Sequence, residues 1–103
     1  MLTEWCKVLD GEGRGIYRHY GYSLPHQRED GSWDPGEWTP AVVPYIGESG
    51  WHITRQPYGE IAIDEDSTLW EVEWRGANRV DTLARLAACQ SIRLVRPMEH
   101  APW

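Results

Sequence analysis

Two glutamates, Glu71 and Glu73, have the spacing in this sequence that most directly suggests chemistry. They lie in the segment from Thr68 to Arg75, where apolar and charged residues alternate. Such alternation predicts a half-buried strand, and a strand directs residues i and i+2 to the same face. Both carboxylates would then point toward one place, as an enzyme that works with paired carboxylates requires.

The Glu71-Val72-Glu73 motif resembles the Glu-x-Glu pair of arginine-directed ADP-ribosyltransferases. In that family the pair holds the nicotinamide ribose of NAD and activates the acceptor, together with an upstream Arg or His and a Ser-Thr-Ser strand. The resemblance implies that Arg18 or His19 takes the first role and that residues 50–54 loosely replace the second. It also implies that His52 or Arg18 lies near the nicotinamide, although the sequence contains no Ser-Thr-Ser.

A simpler interpretation of the two glutamates needs no active site. Acids on the outward face of a sheet pair with arginines across the strands, here with Arg75 or Arg93, and each such pair contributes less than about 1 kcal/mol. We favour this interpretation. NAD is therefore expected as a cofactor only if the transferase alternative holds.

Other catalytic and metal-binding motifs are missing from the sequence. The four histidines and two cysteines show no metal-ligand spacing, and no serine lies in a GxSxG turn. The glycine-rich stretch from Gly11 to Gly15 lacks the spacing of a nucleotide-binding loop, so it predicts a turn. We expect no metal site.

Aromatic residues supply the second candidate site. The chain has seven Trp, five Tyr and no Phe, which is more wide rings than a core of this size hides easily. Several rings crowd the middle of the chain, where many Pro and Gly residues between Leu24 and Pro44 predict a long ordered loop. Exposed aromatic residues with interspersed Arg are typical of binding surfaces. The candidate binding residues are Trp33, Trp38, Tyr45, Trp51 and Tyr58. The alternative is that some of these rings fill the core.

The remaining pattern predicts short strands and one helix. In the segment from Thr68 to Arg75 we expect Trp70, Val72 and Trp74 to face the interior. The apolar residues between Val80 and Cys89 have helical spacing, which predicts a helix of two to three turns. The predicted strands are Trp5 to Leu9, Gly15 to Tyr22, Trp51 to Arg55, Glu60 to Ile63, Thr68 to Arg75 and Ser91 to Arg96, the last with Ile92 and Leu94 inward.

These elements predict an α+β fold, a small and mainly antiparallel sheet with one short helix before the last strand. The length of 103 residues predicts a single domain over residues 1–103. A formal charge of −6 argues against nucleic acid and anionic membranes as general partners. Two distant cysteines and no apolar leader or spanning segment lead us to expect a reduced, cytoplasmic protein.

Several motifs in order resemble an uncharacterised family of small domains from actinobacteria and their phages. The motifs are Trp5 with Lys7, Gly31-Ser32-Trp33, the segment from Gly36 to Pro40, Gly50-Trp51-His52, the segment from Leu69 to Gly76, and the segment from Ile92 to Arg96. The family has no assigned activity, so the resemblance implies a source and leaves the function open.

Taken together, these observations favour a non-catalytic domain that binds a protein or small ligand through its Trp-rich loop, as a phage or prophage accessory factor. One alternative is an ADP-ribosyltransferase-like enzyme that uses Glu71 and Glu73 with His52 or Arg18. The other is a structural or assembly component of a phage particle.

Overall fold

The computed structural model describes residues 5–15, 20–55, 66–81 and 86–98. In these residues β1, β4, β6 and β5 pair in that order, and β1 also pairs with β5, so the four strands close into an antiparallel barrel. Strands β2 and β3 form a separate two-stranded sheet. The strands are β1 (Cys6–Leu9), β2 (His26–Gln27), β3 (Trp33–Asp34), β4 (Trp51–Thr54), β5 (Thr68–Asp81) and β6 (Leu86–Pro97).

Four of the predicted strands are confirmed, as β1, β4, β5 and β6. The loop predicted from Leu24 to Pro44 is also confirmed, with only the short strands β2 and β3 inside it. The strand predicted from Glu60 to Ile63 lies outside the described residues, as do residues 16–19 of the one predicted from Gly15 to Tyr22.

The barrel encloses a core of small and branched side chains. Its buried members are Leu9, Ile53, Val72, Ala87, Cys89, Ile92 and Leu94. The rings of Trp5, Tyr22, Trp51 and Trp70 are only partly buried and pack against this cluster. The wide rings therefore seal the edge of the core, where a ring can be buried while the indole N–H or the hydroxyl keeps a polar partner.

The prediction that alternate residues of β5 are enclosed in the interior is confirmed at the centre of the strand, at Val72, and fails at Trp74. Val72 lies opposite Leu94 and Trp74 opposite Ile92, and directly opposed residues share a face of the sheet. Val72 is buried, whereas the side chain of Trp74 remains 36% exposed. The reason is the length of β1, which pairs with β5 only as far as Glu71 and leaves the later part of the strand without that neighbour.

The α+β prediction is wrong, because the described residues contain no helix and those of the segment from Val80 to Cys89 belong to strands, with residues 82–85 outside the described part. Val80 and Asp81 end β5, and Leu86 begins β6, with Val80 opposite Ala87. Ala87, Ala88 and Cys89 are all buried, so this part of β6 is covered on both faces. A strand covered on both faces loses the alternation of period two, and its run of small apolar residues then resembles a helix in the sequence.

The segment of residues 36–50, here called the strap, lies along β6. Its backbone N–H groups at Gly36, Thr39 and Val42 donate to the carbonyl oxygens of Leu94, Ile92 and Gln90, each at 2.9 Å. The donors recur every third residue, which matches a polyproline II helix with about three residues per turn. Pro40 lies between two donor positions and Pro44 follows the last one, so the lack of an N–H in proline costs the strap no hydrogen bond to β6.

Thr39 is the residue of the strap that is tied most completely to β6. Its hydroxyl accepts a hydrogen bond from the N–H of Ile92 at 3.0 Å, and its carbonyl accepts one from the Ser91 hydroxyl at 2.6 Å. Thr39 and Ser91 are both buried. The contact therefore satisfies polar groups that water cannot reach, and such groups are costly when they lack a partner.

Two glycines let the strap lie this close to its neighbours. A Cβ atom at residue 36 would overlap the carbonyl oxygen of Ser23. Gly50, at the other end, has a φ of +88°, and a Cβ there would lie 2.9 Å from the Cα of Pro44. Both positions need a residue without a side chain, so they fix the two ends of the strap.

Replacing Thr39 with valine should destabilise the domain. The valine keeps the volume of the side chain but leaves the N–H of Ile92 buried without its acceptor, so we expect the free energy of unfolding to fall by about 1 to 3 kcal/mol. Urea unfolding followed by circular dichroism measures this change. Thr68→Val makes the same chemical change at an exposed position, where water can replace the hydroxyl as the acceptor for the indole N–H of Trp70, so it should cost less than Thr39→Val. Equal losses for the two variants would contradict this account of the strap.

Candidate functional site

Both glutamates of the Glu-x-Glu motif are held by arginines of β6. Glu73 lies opposite Arg93 in the hairpin, and their Oε2 and Nη2 atoms are 3.1 Å apart. Glu71 forms an ion pair with Nε of Arg96, and this contact raises the pKa of the Arg96 guanidinium. The expected pairing of Glu73 with Arg93 is thus confirmed, and the partner of Glu71 is Arg96, which the sequence interpretation did not name.

The structure places His52 on β4, opposite Ala88 of β6, whereas Glu71 and Glu73 lie on β5. The Nε2 atom of His52 accepts a hydrogen bond of 2.9 Å from the backbone N–H of Gly47 in the strap. His52 therefore helps to hold the strap. Arg18 and His19, the other candidates for this alternative, lie outside the described residues.

Trp38 lies against two arginines on the outer face of the hairpin formed by β5 and β6. The guanidinium carbon of Arg75 is 4.4 Å from the centre of a Trp38 ring, and that of Arg93 is 4.8 Å away. Arginine stacked on a tryptophan ring gains about 0.5 to 1 kcal/mol at exposed sites. Arg93 also binds Glu73 through Nη2, so one contact network connects the strap, β5 and β6.

Tyr45 repeats this arrangement further along the strap. The Arg79 guanidinium carbon lies 4.9 Å from the centre of the Tyr45 ring, and Nε of Arg79 donates to the carbonyl oxygen of Pro44 at 2.9 Å. Next to this contact the strap exposes apolar groups. The side chains of Val42, Val43 and Tyr45 are 37%, 63% and 46% exposed. Four consecutive residues thus present two aliphatic groups and a ring to solvent, with a guanidinium beside them.

Of the other predicted binding residues, Trp33 and Trp51 lie on other strands than the arginines that contact Trp38 and Tyr45. Trp33 lies in β3, where it is half-buried opposite Gln27 of the two-stranded sheet. Trp51 is half-buried on β4, and its indole N–H donates to the carbonyl of Pro40 at 2.8 Å. Tyr58 lies outside the described residues. The four described candidates are therefore divided, and among them Trp38 and Tyr45 lie beside the β5 arginines.

Trp51 belongs to a packed aromatic cluster with Tyr20 and Tyr22. The ring centres are 4.7 Å apart for Tyr20 and Trp51, 5.0 Å for the two tyrosines and 5.8 Å for Tyr22 and Trp51, all edge to face. The Lys7 ammonium lies 5.4 Å from the centre of the Tyr22 ring. Rings this close contact one another directly, so the cluster seals the barrel edge and does not form a cage around a ligand.

The sequence interpretation missed Arg75 and Arg79 as surface-forming residues. The alternation of β5 places Arg75 on the outward face, but only as a partner for the acids. Arg79 is not recognised as a strand residue, because the residues that follow it are predicted to form a helix. The available signal was Gly76, which lies between Trp74 and Arg79 and has a φ of +77° in the structure. A glycine with positive φ inside a strand marks a bulge, and the register of β5 and β6 does shift between Arg75 and Asn78.

The two cysteines are free and buried, at Cys6 and Cys89. Burial raises the pKa of the Cys6 thiol to about 12 and that of the Cys89 thiol to about 11, and the nearby Lys7 charge offsets only a part of each shift. The thiolate is the nucleophilic form of cysteine. Both thiols therefore remain protonated at neutral pH and are poorly suited to nucleophilic chemistry.

No protein-family model, curated protein or solved structure matches the chain. Among the described residues, no group of three or more His, Cys, Asp and Glu side chains is arranged to hold a metal ion. No helix in the same part of the chain has the length and apolar character needed to cross a membrane. The candidate site is therefore defined by its own geometry, the strap with its two arginine-stacked rings.

The ion pairs of Glu71 and Glu73 lead us to expect that NAD does not stabilise the domain. Both carboxylates bind arginines, so neither is available to hold a ribose without breaking a pair. In thermal unfolding NAD should leave the melting temperature unchanged, and Glu73→Gln should lower it by no more than a few degrees, because an exposed ion pair contributes about 1 kcal/mol or less. Glu12→Gln, at another exposed ion pair, is the control. A rise with NAD that Glu73→Gln abolishes would support the transferase alternative.

The raised thiol pKa values predict a loss of stability at high pH. A thiol whose pKa is higher in the folded state than in the unfolded state stabilises the folded state. This stabilisation is complete below the unfolded-state pKa, here 9.0, and is lost as the pH rises through the folded-state pKa, here about 11. Between about pH 8 and pH 10.5 the Cys89 thiol should thus reduce the free energy of unfolding by about 1 to 2 kcal/mol. Urea unfolding of the wild type and of Cys89→Ala at both pH values isolates this effect from tyrosine ionisation. An identical pH dependence in the two proteins would contradict it.

Proposed function

We propose that the domain is a non-catalytic binding module and that its partner is a protein. The binding surface consists of the strap and the outer face of the β5–β6 hairpin. One observation carries this proposal. The strap is fixed to β6 by three backbone hydrogen bonds, yet it presents Val43 with 63% of its side chain exposed, beside Val42 and Tyr45.

The composition of this surface supports a protein partner. Trp, Tyr and Arg are the residues enriched where binding energy concentrates, and Trp38, Tyr45, Arg75 and Arg79 lie together on one face. Scattered apolar residues are normal on surfaces, but adjacent ones with aromatic neighbours are typical of interaction sites. The anchored strap also loses little conformational freedom on binding, which reduces the entropy cost of association.

The resemblance to a family from actinobacteria and their phages supports a role as a phage or prophage accessory factor. The free, buried thiols are consistent with a reducing compartment, and we propose the cytoplasm on that basis. These two statements concern the setting of the domain. The choice of surface does not depend on them.

Val43→Asp should remove partner binding without unfolding the domain. The side chain is exposed, so a carboxylate there costs little in the free protein, but it would be buried against an apolar partner surface in the complex. We expect recovery of the partner to fall by about tenfold or more in affinity capture from an actinobacterial lysate, quantified by mass spectrometry.

The matched control is Leu24→Asp, which places the same charge on an exposed aliphatic residue outside the strap. It should leave capture unchanged, and circular dichroism should show that both variants are folded. Equal recovery by the wild type and Val43→Asp, or equal loss in both variants, would contradict the choice of the strap as the binding surface.

A further inference from the structure

Arg75 and Arg79 are exposed on β5, and neither forms an ion pair with a carboxylate in the described part of the chain. Each instead lies over an aromatic ring of the strap, Arg75 over Trp38 and Arg79 over Tyr45. Arg93 differs from them, because it already binds Glu73. The outer face therefore holds two guanidinium groups that are positioned by rings and not neutralised by acids.

A guanidinium that lies over an aromatic ring is suited to bind a carboxylate. Its planar set of N–H donors matches the two oxygens of a carboxylate, and contact with the ring limits its motion before binding. Arg79 uses Nε on the carbonyl of Pro44, which fixes its position further and leaves its two terminal nitrogens for a ligand. Because both groups are already oriented, less side-chain entropy is lost when an anion binds.

The spacing of the two arginines defines the shape of such a ligand. Three residues of β5 lie between them, and the bulge between Arg75 and Asn78 shortens the strand there, since their β6 partners Ser91 and Ala88 are only three residues apart. The two arginines therefore lie about 10 to 13 Å apart at about 3.3 Å per residue. In an extended peptide, residues i and i+4 point to the same side and lie about 13 Å apart, at the upper end of this range. Val42 donates to Gln90, and Gln90 lies between the β6 partners of Arg75 and Arg79, which are Ser91 and Ala88. The exposed valines of the strap therefore lie beside the part of the hairpin that separates Arg75 from Arg79.

We propose that Arg75 and Arg79 bind two carboxylates of an extended segment of the protein partner, four residues apart, with apolar side chains between them against Val42 and Val43. This inference rests on the proposed function and specifies the chemistry of the partner. The acidic residues of the same surface favour a peptide over a nucleic acid. A nucleic acid carries a phosphate at every nucleotide and would place charges against Glu73, whereas a peptide carries its charges at selected positions.

The test uses fluorescently labelled, terminally blocked peptides in which two glutamates are separated by one to five residues of alternating leucine and threonine. Fluorescence anisotropy measures their dissociation constants for the wild-type domain. We expect the tightest binding for three intervening residues. Replacing both glutamates of that peptide with glutamine should weaken binding about tenfold or more.

The variants Arg75→Gln and Arg79→Gln should each weaken binding of the best peptide by about tenfold. Arg75→Lys should also weaken it, because lysine keeps the charge but loses the planar donors. Arg14→Gln removes one exposed positive charge from another part of the molecule and should change the dissociation constant by less than about twofold. Arg75 and Arg79 are exposed, so their variants should fold, which circular dichroism verifies.

Several results would overturn this inference. They are an affinity that does not depend on the glutamate spacing, an effect of Arg14→Gln as large as that of Arg75→Gln, and equally tight binding of a thymidine oligonucleotide of the same charge. If Val43→Asp abolishes partner capture while none of the peptides binds, the proposed function stands and the acidic ligand is wrong. If both experiments fail, the binding surface itself is wrong.

Discussion

The carbonyl groups of Gln90, Ile92 and Leu94 impose the constraint on which the rest of the described structure depends. They lie on the edge of β6 beyond the reach of β4, which pairs only with residues 86–89. Ile92 and Leu94 are buried, and a buried carbonyl without a partner costs about 1 to 3 kcal/mol. A second strand could satisfy this edge, but the segment available contains prolines. The strap solves the problem with a donor at every third residue.

The same arrangement separates the structural residues of the strap from its surface residues. Gly36, Thr39 and Val42 supply the N–H groups that bind β6, so the residues between them need no ladder hydrogen bond. Those positions can therefore be proline, or an aromatic ring such as Trp38. A stretch of this length without regular secondary structure is uncommon in a small domain unless it serves a function. Here three backbone hydrogen bonds fix it to β6 while Val42, Val43 and Tyr45 remain exposed.

The sequence was most informative where the pattern depends on one exposed face, and least informative where both faces are covered. The alternation from Thr68 to Arg75 identified β5 and its outward acids, and of the two arginines expected to pair with them, Arg75 or Arg93, the structure pairs Arg93 with Glu73. At Ala87 to Cys89 both faces are buried, so the alternation disappears and small residues with helical spacing led to the wrong prediction of a helix. The strap was predicted as an ordered loop, but its docking on β6 depends on long-range backbone hydrogen bonds. These bonds use no particular side chain, and local sequence therefore does not reveal them.

The net charge is distributed unevenly over the domain, and this distribution affects which kind of partner can bind. Strands β5 and β6 together contain four arginines and three acids, a net charge of +1, whereas the whole chain carries −6 and its remaining residues therefore carry −7. At physiological ionic strength charges are screened beyond about 8 Å, so a ligand on the hairpin experiences mainly the local arginines. A long polyanion would extend past them into the acidic remainder of the molecule. A short acidic segment fits within the hairpin, and this difference in length, more than the sign of the charge, separates a peptide ligand from a nucleic acid.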